Sequence, residues 1–211
     1  LWRLGALSKT PQMKTTGGGE LFDVVVFKGK IVTVGQTPTF QNPGSGMLRV
    51  TQDMMAWVLS KDFDGSKYGD FHAVLAFDDG YLIAGTRVNQ AKQARATLLR
   101  TNATGQVLSF NVQSKASVFG ALAALPDGRV AAVGQDGQDA AKLKVLFQIA
   151  GNRGANGLTP AASGFAGALR GHSVAVNDEG RVLIVGHLGK TLDGTLGDSN
   201  GLDLMYDAGG V

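Results

Sequence analysis

The chain has 211 residues, a net charge of +3, 31 glycines and no cysteine. That length suits one large domain or two small ones, and the missing cysteines exclude disulfide frameworks and thiolate metal sites. No run of about five or six like charges marks a nucleic-acid arm, no apolar run nears the roughly 18 residues of a membrane helix, and no signal peptide is visible.

The glycine content is high without a Gly-X-Y period, as expected of many short strands joined by tight turns. The first seven residues, LWRLGAL, read as a strand. The chain starts at Leu1 and stops at Val211 after a Gly pair, which reads as a processed chain or a segment of a longer one. Next comes LFDVVVFKGKIVTVGQT (21–37), an apolar run, a polar turn ending in Gly, a second apolar run, then Gly and a polar residue. The same unit recurs as FHAVLAFDDGYLIAGTR (71–87), GALAALPDGRVAAVGQD (120–136) and HSVAVNDEGRVLIVGHL (172–188). The closing glycines Gly35, Gly85, Gly134 and Gly186 are 50, 49 and 52 residues apart.

Each unit predicts a β-hairpin, because the Asp-Gly turns accept positive φ and the flanking runs are apolar throughout. A third strand is expected at 54–60 (MMAWVLS), 94–102, 143–148 and 202–207, and a clear fourth only at 106–112. Residues 38–46 and 151–170 read as loops, the second holding a poor strand.

Periodic units of this kind predict an all-β fold, a β-propeller of four-stranded antiparallel blades. Its units run approximately over 21–70, 71–119, 120–170 and 171–211 within a single domain, with 1–8 as a closing outer strand. Either the four blades close a ring, or they form part of a larger propeller whose other blades come from another chain or segment.

The unit SVAVNDEGRVLIVGHL…GLDLMYDAGG resembles bacterial β-propeller repeats with kelch-like relatives. Asp178, Gly180, Gly186, Gly201, Asp203, Asp207 and Gly209 carry the resemblance, while the first unit lacks the turn Asp. The resemblance implies a fold and a bacterial periplasmic, cell-surface or secreted setting, and little about chemistry.

Candidate ligand-binding positions follow from the repeat. Gln36, Arg87, Gln135 and His187 come just after the closing glycines, where strand ends commonly present ligands. His72 and His172 occupy one equivalent place, filled by Phe22 and Gly120 in the other units, and imidazoles there suit a metal or ligand. Calcium is the candidate ion for two Asp-rich stretches. One holds Asp62, Asp64 and Asp70; the other holds Asp193, Asp198, Asn200 and Asp203.

The GDSNG segment at 197–201 and AWVLS at 56–60 resemble pieces of trypsin-like proteases, but no His follows Leu59 within ten residues to serve as base. The expectation is therefore a non-catalytic binding or scaffold module for a protein or glycan partner. The alternative is an enzyme of lyase, glycosidase or quinone-dependent dehydrogenase type.

Overall fold

The computed structural model describes residues 19–37, 45–52, 56–65, 68–88, 93–137, 144–151, 158–160, 169–188 and 200–206. The hairpin expected in each unit is present. β1 (Glu20–Phe27) pairs with β2 (Lys30–Thr37), and β5 (Phe71–Phe77) with β6 (Gly80–Val88). β9 (Ser117–Ala124) pairs with β10 (Val130–Asp136), and β13 (Leu169–Val176) with β14 (Val182–Leu188). The first turn shows why these loops are short: Lys28 and Gly29 both hold positive φ, 48° and 73°, whose twist matches that of the flanking strands.

Each hairpin is extended outward by β3 (Ser45–Thr51) and β4 (Trp57–Asp62), by β7 (Ala94–Asn102) and β8 (Val107–Val112), by β11 (Lys144–Ala150) and β12 (Leu158–Pro160), and by β15 (Asn200–Tyr206). The result is three four-stranded antiparallel sheets and one of three strands, each in simple meander order.

The first unit departs from expectation. Its third strand is 45–51, inside and beyond the stretch read as a loop, and Trp57–Asp62 is its fourth. Arg49 disguised the third strand. Its guanidinium is buried, pairs with Asp62 and donates to the carbonyls of Leu48 and Lys61, so a charge sits where an apolar residue signals a strand.

Successive sheets lie face to face through their first strands, β1 on β5, β5 on β9 and β9 on β13. Three apolar layers result. Val32, Val34, Leu48 and Val50 meet Val74, Ile83 and Leu99 in the first. Ala73, Leu82, Ala84 and Leu98 meet Val130, Ala132 and Leu146 in the second. Ala131, Val133 and Phe147 meet Val182 and Ile184 in the third. Strands β2, β6 and β10 are sealed on both faces, which explains their unbroken apolar runs.

The propeller expectation is corrected here. The four sheets are separate, none is closed into a barrel or ring, and no strand ladder joins the first sheet to the fourth among the described residues. A repeat unit specifies a sheet and the face it shares with the next; it does not specify that a row of such sheets closes. The outer strand expected at 1–8 lies outside the described residues. No helix is long and apolar enough to cross a membrane among the described residues.

Candidate binding rim at the strand bulges

The closing glycines and the positions called equivalent to His72 prove to be two halves of one device. In all four sheets the first strand skips one residue in register opposite the closing glycine. Leu21 pairs with Gly35 and Asp23 with Val34, leaving Phe22 as a bulge. His72 is skipped against Gly85, Gly120 against Gly134, and His172 against Gly186.

A bulge brings the backbone of the first strand onto the second, so the residue opposite can carry no side chain. A Cβ at Gly35, Gly85 or Gly134 would stand under 3.0 Å from the carbonyl oxygen of Glu20, Asp70 or Val118 respectively. Bulges re-aim side chains and mark functional edges of sheets. Here they create a rim with one bulge residue per sheet.

The rim is richest where the first two sheets meet. The rings of Phe22 and His72 lie 5.2 Å apart, tilted by 42°. Gln36 donates from Nε2 to Glu20 Oε2 at 2.7 Å. Asp70 faces both His72 and Glu20, and its Oδ1 is buried without a hydrogen-bond partner. Burial holds the Asp70 carboxyl above its ordinary range, with His72 opposing and Glu20 adding to the shift. Burial also lowers His72, against the pull of Asp70. An acid that resists ionising and an imidazole that resists protonation thus sit side by side.

The other candidates are less concentrated. Gln135 is half-buried in β10 opposite Val118. Arg87 turns to the β8 ring of Phe110, 5.9 Å from its centroid, and stands across from Arg95. His172 is exposed at the fourth bulge, and His187 lies in β14 opposite Arg170. The structure therefore brings His72 and Gln36 together, and neither Arg87 nor Gln135 is placed in that corner.

Asn200 and Asp203 belong to β15, their backbones opposite Leu188 and Val185, where the expectation had an ion-wrapping loop. Asp193 and Asp198 lie outside the described residues. In the other Asp-rich stretch Asp62 is engaged by Arg49, and Asp64 receives the Tyr68 amide on its backbone carbonyl. Among the described residues no group of three or more His, Asp or Glu side chains is arranged to hold a metal ion.

Sequence reasoning missed Glu20 as a site residue and read Asp70 only as a calcium ligand. The available cue was position: both stand two residues before a bulge residue, as do Val118 and Arg170.

The fold and rim define an all-β protein of face-packed antiparallel meanders with a bulge opposite each closing glycine. Among the solved structures that share this fold are two proteins. One, from Dyadobacter fermentans DSM 18053, is described as a protein of unknown function; it is 13% identical with a TM-score of 0.60 over 92% of this chain and 68% of its own. The other, a protein of unknown function from Bacteroides caccae, is 15% identical with a TM-score of 0.50 over 91% of this chain and 62% of its own. The chain thus spans about two thirds of the length of these relatives.

No family model and no curated protein matches the chain. The resemblance to β-propeller repeats is accordingly corrected: neither the family models nor these relatives name such a family. Of the motif residues, Asp178 and Gly180 stand at the turn and Gly186 faces the bulge; Gly201 and Asp203 lie in β15, and Asp207 and Gly209 lie outside the described residues.

Proposed function

We propose that the chain is a non-catalytic binding module that seats a protein partner on the corner formed by β1 and the first two bulges. The observation that carries this reading is an apolar strip running into an acidic corner. Leu21, Phe22, Val24 and Val26 are 46%, 43%, 60% and 65% exposed, and Glu20 and Asp70 stand at their end. Contiguous exposed apolar surface rimmed by charge is characteristic of protein interfaces. The Glu20 carboxylate and the exposed Phe22 ring suit a Lys or Arg side chain of the partner, and a cation seated there would favour the ionised form of Asp70.

The test is site-specific photocrosslinking in the source cell. A photoreactive residue at position 24 is expected to yield one discrete protein adduct, lost on Glu20→Lys. The same probe at position 108, on the exposed outer strand β8, is expected to yield none. A glycan adduct at position 24, or equal adducts from both positions, defeats the reading.

One observation favours an enzyme as the second reading. Burial raises the proton affinity of Asp70 and lowers that of His72, so the two side chains approach each other in proton affinity, as suits passing a proton between them. Turnover of a substrate abolished by His72→Ala, with the fold intact, would establish it.

A further inference from the structure

The opposite end of the first two sheets holds a cavity that the rim does not involve. It lies between the two hairpin turns, with a volume of about 250 Å³. Phe27, Val32, Phe77 and Tyr81 wall it, and Lys28, Lys30 and Asp78 stand around it. The repeat accounts for its aromatic walls at this place. Phe27 and Phe77 each stand five residues after the bulge residue, a place taken by Leu125 and Asn177 in the other two units. The first turn also departs from the Asp-Gly rule, placing Lys28 where the others carry Asp or Pro. Lys28 adopts φ 48°, a conformation that L residues avoid outside such turns and that tends to persist where function requires it.

The charges around the cavity do not cancel. Lys28 Nζ pairs with Asp78 across the two turns. Arg100 pairs with Asp79 and lies 5.2 Å from the Phe77 ring centroid. Lys30 is half-buried at the cavity and has no ion pair among the described residues. One positive charge is therefore left over beside an aromatic and aliphatic wall.

We infer that this cavity binds a small organic monoanion, an aromatic or compact apolar body bearing one carboxylate, with the carboxylate on Lys30. Its volume falls just below the roughly 300–1,000 Å³ of sites for larger ligands, so a single ring fits and a nucleotide does not. A half-buried ammonium without an ion pair gains its strongest hydrogen bond from an anion, where both partners are charged, while the walls reward apolar area.

The test is a titration of the chain followed by amide and aromatic NMR, using benzoate, benzyl alcohol and acetate as probes up to about 20 mM, since a ligand this small binds with a Kd on the order of 1 mM. Benzoate is expected to shift residues 27–32 and 77–81 saturably, with benzyl alcohol and acetate at least about five-fold weaker. Lys30→Gln is expected to weaken benzoate about ten-fold while leaving the spectrum elsewhere unchanged. Asp78→Asn, which frees Lys28, is expected to strengthen it.

Equal binding of benzyl alcohol, shifts centred on the bulge rim, an unaffected Lys30→Gln variant, or no saturable shift with benzoate would each overturn the assignment. If Lys30→Gln proves poorly folded, the Asp78→Asn arm and the probe ranking still decide.

Discussion

Gly85→Ala tests the bulge directly. The added methyl carbon would fall under 3.0 Å from the Asp70 carbonyl oxygen, which itself accepts the Thr86 amide at 2.9 Å. Neither atom is the end of a flexible side chain, so β5 must move off β6. Forcing one carbon into a filled site costs about 1–3 kcal/mol, and losing the Thr86 hydrogen bond adds about 1 kcal/mol. The sum is about 2–4 kcal/mol, which for a domain of this size lowers Tm by roughly 4–15 °C. Gly134→Ala, facing the Val118 carbonyl, is expected to behave alike. Gly29→Ala is the control: its Cβ meets nothing within 4 Å, so only the left-handed φ of 73° is penalised, by about 1 kcal/mol. Scanning calorimetry of the three variants gives the comparison. A Gly85→Ala protein that melts no lower than Gly29→Ala would refute the claim that these glycines exist to admit the bulge.

Further outcomes follow from the rim and the ion pairs. His72 is expected to titrate below 6.5, and because Asp70 pulls its pKa upward, Asp70→Asn should move the NMR midpoint lower still; an upward move contradicts the arrangement. The folded chain binds the His72 proton more weakly than the unfolded chain, so this residue's contribution to stability is intact above 6.5 and is lost as pH falls through the lowered value. Asp70 acts in the opposite sense: its cost is present above its raised pKa and is relieved on acidification, so His72→Gln should flatten the acid side of the stability curve and Asp70→Asn should steepen it. Urea denaturation should rank the ion pairs by burial. Asp62→Ala leaves the buried Arg49 guanidinium without its carboxylate and costs about 1–3 kcal/mol. Asp78→Ala breaks a pair exposed on both sides and costs less than about 1 kcal/mol.

Much of the local structure was legible from the chain alone. The Gly-closed hairpins were legible because turn chemistry and unbroken apolar runs are local properties, and β2, β6 and β10 lie where the repeat put them. The strand 45–51 was not legible, because its character depends on Arg49 meeting Asp62 thirteen residues away. Of the site, His72 and Gln36 were found through their place in the repeat, and Phe22 was noted as an equivalent of His72. Glu20 was missed, since an acid at a strand end looks like ordinary solvated surface until a neighbouring sheet brings Asp70 beside it.

The amino-acid sequence by itself determined that this protein is built from recurring antiparallel meanders and where each one turns. Those features depend on backbone freedom at Asp-Gly steps and on side chains a few residues apart. Tertiary structure alone decided that the meanders remain four separate sheets, that a skipped residue faces each closing glycine, and that Phe22, His72, Glu20 and Asp70 share one corner. The corner joins strands about 50 residues apart and is set by how one sheet face fits another, which no single repeat encodes, whereas each bulge depends on backbone pairing within its own hairpin.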